Sequence, residues 1–482
     1  MLSGYDNGGY LKFLEEDEIT KIHEASIRIL NETGMIVEND QLQDILQEKG
    51  ATVDRETNMV KFSSELLTEA IKTVPSSFTF YQRDGNCLEV GGKGLIPHTV
   101  GGPAFTYDLE TGERRLALRK DVEQGARLVD GLDNFMMNVP LFSPSDVDPK
   151  LVEIEMVDAL VRNTVKAWGN AAMSKDEIEY MKKVSTIFGG TEERPMCMAV
   201  TSPVTPLKIN NDTAEAMMCA AKAGFPTFVL PCPTAGGTAP VTIAGALVQT
   251  FSETLGGIAM IQMIKPGNPV IYAPRISILD MRTGNNAWTG GEIGLISSCG
   301  VQLAKHFGIP VDFYGLISDS KVADEQLGYE KTLNAVLPAL AGTDLISGGA
   351  LMEAGKCASF AQAVIDNEIF GCIMKARKRF EINEETMAVD LIKEVVTTKG
   401  HYMDKTHTLK YARKGEQYFP PIADRSPSYG EWVSKGSKDL FETAREKAKE
   451  ILAKHEVPPL DRDVEKELDK IIKETRQYYM EK

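Results

Sequence analysis

Residues 311–321, VDFYGLISDSK, form a short apolar and aromatic run that breaks into a polar segment. The run follows Pro310 and leads into a helical pattern that begins near Asp324. An apolar run, a polar loop and a helix in succession are typical of one strand–loop–helix unit of a parallel α/β fold. In such folds the loops at the carboxyl ends of the strands carry the functional groups. The segment is therefore predicted to form part of an active site, with an ordinary capped turn as the alternative.

Seven further units of the same kind occur along the chain. The apolar runs predicted as strands are residues 95–100, 135–142, 165–171, 196–202, 227–231, 269–273, 311–316 and 344–347. The helical patterns are residues 120–132, 149–162, 175–188, 211–223, 241–264, 291–306, 324–341 and 360–379. Eight such units within about 285 residues predict an α/β fold of the TIM (β/α)8 barrel type over residues 95–380. The competing doubly wound sheet normally has a glycine-rich phosphate loop, and neither G-x-G-x-x-G nor G-x-x-x-x-G-K-[ST] is present.

Extensions flank the predicted barrel on both sides. Residues 1–94 are predicted to form an N-terminal α+β extension, with helices at 16–33 and 63–74 around a small β element. Residues 381–482 are predicted as a C-terminal helical extension: a helix at 385–400, an extended wrapping segment at 407–429, and a charged helical tail broken at Pro458–Pro459. The charged face of the tail indicates either a solvated surface or a contact in a homo-oligomer.

Composition excludes several classes of partner. The chain has 482 residues, 43% hydrophobic and 25% charged, with a net charge of −16, which argues against nucleic acid or an anionic membrane as a partner. The N-terminus lacks the pattern of a signal peptide, and no uncharged apolar run reaches about 18 residues. The seven cysteines show no C-x-x-C spacing. We therefore expect a soluble cytoplasmic protein with reduced thiols.

The residues that follow the predicted strands carry few acid–base groups. Those singled out as candidate site residues are His98, Phe142, Trp168, Asn170, Arg275, Phe313, Tyr314, Asp319 and Glu353. No H-E-x-x-H, zinc-ligand spacing or G-x-S-x-G motif occurs, so no metal site or serine nucleophile is predicted. A Schiff base on Lys166 or Lys321 remains open as an alternative chemistry.

Aromatic rings near a carboxylate suit a quaternary ammonium group, which makes no hydrogen bonds and is attracted by ring faces and opposite charge. For each ring, ordinary core packing is the alternative. Glycine pairs lie at or near helix starts and loop tips, at residues 236–237, 256–257, 290–291 and 348–349. Such pairs favour close approach by a large flat ligand, and tight turn geometry is the alternative.

Several motifs carry a resemblance to a known family. They are residues 319–331, 337–342 and 365–369, the segment 101–108 with 111–115, and the pairs Ser202-Pro203 and Asp424-Arg425. In these motifs the chain resembles the trimethylamine methyltransferase superfamily, from about residue 15 to residue 435. The resemblance implies a TIM barrel and methyl transfer from an amine to the cobalt of a corrinoid protein.

Founding members of this superfamily carry pyrrolysine, whereas this chain has only standard residues. By chain position, the equivalent residue is expected between Tyr314 and Ser318, with Gly315 as the choice. The chain is thus similar to the non-pyrrolysine branch, whose members demethylate quaternary amines such as glycine betaine, proline betaine and carnitine. A quaternary ammonium leaves as a neutral amine, so displacement by Co(I) needs mainly orientation and exclusion of water.

Residue roles follow from the resemblance and the chemistry together. Tyr314, Gly315 and Asp319 are predicted to be catalytic. Four rings are predicted to surround the ammonium group: Tyr314, Phe313, Trp168 and Phe142. Asp319 or Glu353 is expected to compensate its charge, and Asn170 to bind substrate. Arg275, or else His98, is expected to bind a substrate carboxylate.

The corrinoid cofactor is expected on a separate partner protein, because none of the six histidines lies in an Asp-x-His-x-x-Gly motif. Gly236, Gly237, Gly348 and Gly349 are predicted to admit the macrocycle at the barrel rim. Self-association into a homo-oligomer is also expected. Two alternatives stay open: a Schiff-base TIM-barrel lyase and a non-catalytic scaffold that binds betaine or corrinoid.

Overall fold

A computed structural model describes residues 11–92, 94–172 and 174–482, and a barrel of eight parallel strands lies at its centre. The strands are β1 (Ile96–Thr99), β2 (Met137–Asn138), β3 (Ala167–Asn170), β4 (Cys197–Thr201), β5 (Thr227–Val229), β6 (Val270–Tyr272), β7 (Asp312–Tyr314) and β8 (Leu345–Gly349). Their spatial order is β6-β5-β4-β3-β2-β1-β8-β7. A parallel bridge between Tyr272 and Val311 closes the cylinder. The predicted TIM barrel is confirmed, and each strand overlaps its predicted run.

Eight helices follow the strands and pack around the barrel. They are α1 (Arg119–Asp130), α2 (Val152–Arg162), α3 (Lys175–Ile187), α4 (Asn211–Ala223), α5 (Ile243–Ile264), α6 (Gly291–His306), α7 (Glu325–Ala341) and α8 (Phe360–Arg377). Local capping explains why their bounds were predictable. The Asp324 carboxylate accepts a hydrogen bond from the amide of Leu327 at the start of α7, and Gly342 ends that helix in the left-handed conformation.

The N-terminal extension contains one helix more than the sequence predicted. Helices Glu16–Glu32 and Ser64–Lys72 are as expected, but Asp40–Glu48 is also helical. This helix spans nine residues, and its stability comes from the Asn39 cap and from burial of Leu42 and Leu46, which a short periodic pattern does not reveal.

The strands of this extension make two small sheets. Strands Thr52–Asp54, Met59–Lys61 and Met35–Val37 form a sheet that continues into Lys208–Ile209 of the barrel region. The hairpin Phe78–Tyr81 and Cys87–Val90 packs its buried side chains against residues of the barrel interior.

Two small sheets lie beyond the carboxyl ends of the barrel strands. One contains Thr234–Ala235, Ser277–Leu279 and Asn286–Ala287. The other contains Leu351–Met352, Cys357–Ala358, Phe105–Tyr107 and Arg114–Leu116, and it includes the hairpin predicted at residues 105–115. These sheets form the rim of the barrel on the side where TIM-barrel enzymes place their active sites.

The C-terminal extension is more helical than predicted. Its helices are Glu384–Met387, Val389–Thr398, Thr406–Arg413, Tyr429–Ser434, Leu440–Lys454 and Arg462–Glu481. The helix Thr406–Arg413 lies in the segment that was predicted to be extended, so that part of the prediction was wrong. Its eight residues leave no side chain buried, and an amphipathic pattern is therefore weak there.

The charged tail packs against the outside of the barrel. Helix Leu440–Lys454 buries Ala444 and Ala448 in the cluster that includes α1 and α8, and helix Arg462–Glu481 buries Leu468 against α2 and α3. The apolar face of the tail is thus covered by other parts of the same chain. Self-association into a homo-oligomer stays a prediction. In the described ranges, no helix is both long enough and apolar enough to cross a membrane.

A buried ion pair joins the ends of β7 and β8 to the helices behind them. The Lys331 ammonium group on α7 donates to Asp366 Oδ2 on α8 (2.8 Å) and to the carbonyl of Leu316 (2.7 Å). Asp366 also accepts from the amide of Ala350 (2.6 Å). Both charged side chains are fully buried. Two of the family motifs, 319–331 and 365–369, therefore meet in a structural contact behind the strand ends.

Candidate active site

A cavity of about 300 Å³ lies at the carboxyl ends of strands β1 to β7 and reaches the first turn of α2. Its walls combine apolar side chains with a few polar groups. The residues used below are His98, Gly101, Gly102, Glu153, Asn170, Ala171, Phe228, Arg275 and Tyr314. The volume is at the lower end of the range for small-molecule sites, about 300–1,000 Å³. The cavity therefore suits a small organic substrate.

A buried carboxylate, Asp312, organises the base of this site. The Arg275 guanidinium pairs with Asp312 Oδ2, and His98 Nε2 lies 3.2 Å from Asp312 Oδ1. Burial opposes ionisation, but Arg275 and His98 hold the pKa of Asp312 below its ordinary value. Arg275 is also held by donation to the carbonyl of Asp312 (3.1 Å). Asp312 thus keeps Arg275 in one orientation.

Arg275 and Tyr314 present hydrogen-bond donors to the site. Arg275 is 3% exposed, yet its Nε–H has no hydrogen-bond partner among the described residues. The guanidinium carbon lies 4.4 Å from the centre of the Tyr314 ring, in a cation–π contact. Burial raises the pKa of Tyr314 to about 12, so its hydroxyl stays protonated at neutral pH. Both residues line the cavity, and each carries a donor group, the unpartnered Nε–H of Arg275 and the hydroxyl of Tyr314.

Glu153 projects from the first turn of α2 into the cavity wall. Its Oε2 accepts a hydrogen bond from the Asn170 amide at 2.5 Å. In the described ranges no lysine, arginine or histidine pairs with it. Burial raises the pKa of Glu153 to about 7, the Asn170 hydrogen bond lowers it and the charge of Glu177 raises it further. Glu153 is thus an acidic group without a cation, in a cavity.

Four of the sequence-predicted residues line this cavity together: His98, Asn170, Arg275 and Tyr314. The predicted rings Phe142, Trp168 and Phe313 instead lie in the core around the barrel. Phe142 packs on Phe360 with ring centres 5.0 Å apart. Successive side chains of a strand point to opposite faces, so Phe313 points outward where Tyr314 points inward.

The two predicted rim acids already have partners. Arg114 binds Glu353 with both Nε and Nη2 (2.9 Å), and Tyr107 donates to the same carboxylate. Asp319 accepts from the hydroxyl of Thr289 (2.9 Å) and from the amide of Trp288. Burial raises the pKa of Asp319. These contacts tie rim segments together, and neither acid lines the cavity.

The predicted glycines differ in their surroundings. A Cβ at Gly315 would lie 2.4 Å from Ile346 Cδ1, and one at Gly349 would lie 2.4 Å from the ring of Phe135. Gly348 and Gly349 are buried in β8, whereas Gly236 and Gly237 lie on a partly exposed turn. A different pair, residues 101–102, lines the cavity and is not buried.

The two candidate Schiff-base lysines lie away from the cavity. Burial lowers the pKa of Lys166 to about 8, but its Nζ donates to the carbonyls of Val129, Leu132 and Phe135 at 2.6–2.8 Å. Lys321 is exposed and donates to the carbonyl of Asp319. No lysine is among the described residues that line the cavity.

Among the site residues that sequence reasoning missed are Asp312, Glu153 and Phe228. Asp312 lies in an apolar run, where a single acid carries no signal of its partners. Glu153 lies in the first turn of a helix, where acids are common because they complement the helix dipole. Phe228 lies in a predicted strand, but its inward orientation depends on the register of β5. These residues were identifiable only once the barrel was closed.

Comparisons with known proteins identify the family to which the chain belongs. The family model for trimethylamine methyltransferase (MTTB) matches residues 6–479. Trimethylamine methyltransferase MttB of Methanosarcina barkeri (strain Fusaro / DSM 804) is 31% identical over 480 residues, covering 97% of this chain and 95% of the relative. A glycine betaine methyltransferase of Desulfitobacterium hafniense (strain Y51) is 30% identical over 466 residues, covering 95% of this chain and 96% of the relative. The chain belongs to the trimethylamine methyltransferase family, as its motifs indicated, and is a methyltransferase.

Proposed function

We propose that this methyltransferase moves a methyl group from a betaine, a quaternary amine that also carries a carboxylate, to the Co(I) of a corrinoid on a separate partner protein. The observation that carries this proposal is the cavity at the strand ends, which is lined by Arg275, a cation whose Nε–H has no partner among the described residues. The 30% identical glycine betaine methyltransferase supports the substrate class. We also propose a cytoplasmic protein, consistent with seven free thiols.

The chain's own residues bind and orient the substrate. Arg275 Nε–H and the Tyr314 hydroxyl donate to the substrate carboxylate, and Asp312 and His98 keep Arg275 in place. Apolar side chains such as Phe228 exclude water from the rest of the wall. A quaternary ammonium needs no protonation to leave as a neutral amine, so orientation is the main requirement.

The opening of the cavity fits a corrinoid presented by a partner. Gly101 and Ala171 are exposed residues of the lining, so they mark the opening. Gly102 has a φ of +103°, and no atom lies within 4 Å of a Cβ built there. When the partner docks, the corrinoid supplies the nucleophilic cobalt, and these small residues leave space for a flat macrocycle. The glycines Gly236 and Gly237 on the same rim remain candidates for this contact.

The decisive experiment mixes the protein with a reduced corrinoid protein and a panel of methylated amines. We expect loss of the Co(I) absorbance with glycine betaine, proline betaine or carnitine and none with trimethylamine. Tight betaine binding without turnover would instead support a non-catalytic scaffold. Borohydride trapping of a substrate on Lys166 or Lys321 would support a lyase, although neither lysine lines the cavity.

Substitution of Tyr314 by Phe tests the carboxylate end of the site. The change keeps the ring over Arg275 and removes one hydrogen bond to a charged group, so betaine affinity is expected to fall about tenfold. Choline has the same trimethylammonium group without a carboxylate, and its affinity should be unchanged. Isothermal titration measures both ligands. Equal betaine affinity in the two proteins would remove Tyr314 from carboxylate binding.

A further inference from the structure

Glu153 is the carboxylate among the described residues that line the cavity. Other acids near the barrel rim are already paired or bonded: Glu353 with Arg114, and Asp319 with Trp288 and Thr289. Glu153 has one hydrogen bond, from Asn170. An ionised carboxylate in a partly dehydrated site is costly unless a cation compensates it. Because the described part of the chain provides no such cation, a cation on a ligand would favour the ionised form of Glu153.

A quaternary ammonium ion matches this environment. It cannot donate a hydrogen bond, so it gains little from hydroxyl or amide acceptors and much from a nearby negative charge in an apolar cavity. The lining offers Glu153 as that charge and Phe228 as an aromatic side chain. Arg275 is already neutralised by Asp312, so it does not cancel the charge of Glu153.

We propose that Glu153 is the counter-ion of the substrate's ammonium group and that Asn170 positions it. This inference rests on the proposed function and deepens it, because it assigns the two ends of a betaine to two walls of one cavity. The carboxylate end lies at Arg275 and Tyr314, and the ammonium end lies at Glu153. The site then selects a cation over a neutral group of the same shape.

The binding of a betaine should therefore depend on pH. A cation favours the ionised form of Glu153, so bound substrate lowers the pKa of this group below its value of about 7 in the free protein. Affinity is consequently expected to be full above pH 7 and to fall, by up to about tenfold per pH unit, as the pH drops below 7. The charged or titratable groups that face Glu153 or share its cavity are Glu177 on α3, His98, Arg275 and Tyr314.

A pair of isosteric ligands isolates the charge. Glycine betaine and 3,3-dimethylbutyrate have the same shape and the same carboxylate, but a quaternary carbon replaces the nitrogen in the second. We expect the unsubstituted protein to prefer glycine betaine by about 10- to 100-fold. In Glu153→Gln, which can still accept from Asn170, we expect this preference and the pH dependence to disappear. Glu179→Gln, an exposed acid on α3, makes the same charge change outside the cavity and should change neither.

Titration calorimetry from pH 5.5 to 8.5, together with the Co(I) assay, separates the possible failures. No methyl transfer from any quaternary amine by the unsubstituted protein would overturn the proposed function and this inference with it. Methyl transfer by the unsubstituted protein, with the betaine preference retained in Glu153→Gln, would overturn the counter-ion and leave the function standing. If the Gln variant fails to fold, the pH dependence of the unsubstituted protein decides: an affinity that does not change between pH 5.5 and 8.5 overturns the proposal.

Discussion

Asp312→Asn is expected to lower the free energy of unfolding by about 3–5 kcal/mol and methyl transfer by at least about 100-fold. Asp312 is fully buried, and Arg275 beside it is 3% exposed. A neutral amide leaves the guanidinium charge of Arg275 uncompensated inside the barrel. Leaving this charge unpaired costs more free energy than burying the amide side chain does. Arg275 then loses the partner that orients it, so the substrate carboxylate is misplaced relative to the cavity opening.

Urea denaturation measures the stability change, and the Co(I) assay measures activity. Asp390→Asn is the matched control because Asp390 pairs with Lys393 on the surface, where both side chains are exposed. We expect that control to keep the same unfolding midpoint and the same rate. Full activity in Asp312→Asn would show that Arg275 does not need this carboxylate to hold the substrate.

Lys331→Met is expected to lower the free energy of unfolding by about 3–5 kcal/mol, as much as Asp312→Asn does. Substrate affinity of the folded protein is expected to be unchanged. Met has nearly the length of Lys but no charge, so Asp366 remains as a buried carboxylate without its cation. The pair lies behind β7 and β8 and does not line the cavity. Its loss therefore destabilises the barrel and leaves the binding groups in place.

A double substitution provides the internal check. Lys331→Met with Asp366→Leu removes both charges, and we expect it to be less destabilising than Lys331→Met alone, because no buried charge is left unpaired. Lys21→Met is the surface control, since Lys21 and Asp17 are both exposed, and its unfolding midpoint should not move. Additive losses in the double variant would mean that the two side chains act independently.

The barrel could be predicted because its signals are local. Apolar runs such as residues 227–231 mark strands, and capping residues such as Asp324 mark the starts of helices. Each signal lies within the element that it marks or next to it. The order of eight such units leaves few topologies for a parallel sheet. The helices Asp40–Glu48 and Thr406–Arg413 were missed because each is too short for periodicity to stand out.

The family-motif residues Lys331, Asp366 and Arg114 form structural ion pairs and do not line the cavity, so they identify the family without taking part in the proposed chemistry. Lys331 and Asp366 belong to two of these motifs, and they pair behind the strand ends. Arg114 belongs to another and binds Glu353 on the rim. A buried charged residue is stable only beside a particular partner. Pairs such as Lys331 and Asp366 can therefore be typical of one family of proteins.

By itself, the sequence determined the barrel, its family and four members of the cavity, His98, Asn170, Arg275 and Tyr314. These four residues lie at or near the ends of strands, and the local sequence pattern predicts where the strands end. The tertiary structure alone decided that Phe313 and Trp168 face the surrounding core, that Asp312 holds Arg275, and that Glu153 enters the cavity without a cation. The orientation of a strand residue depends on register, and the partner of an acid depends on which element packs beside it. Both are set when the barrel forms, because it brings together residues that are far apart in the chain, such as His98 and Asp312.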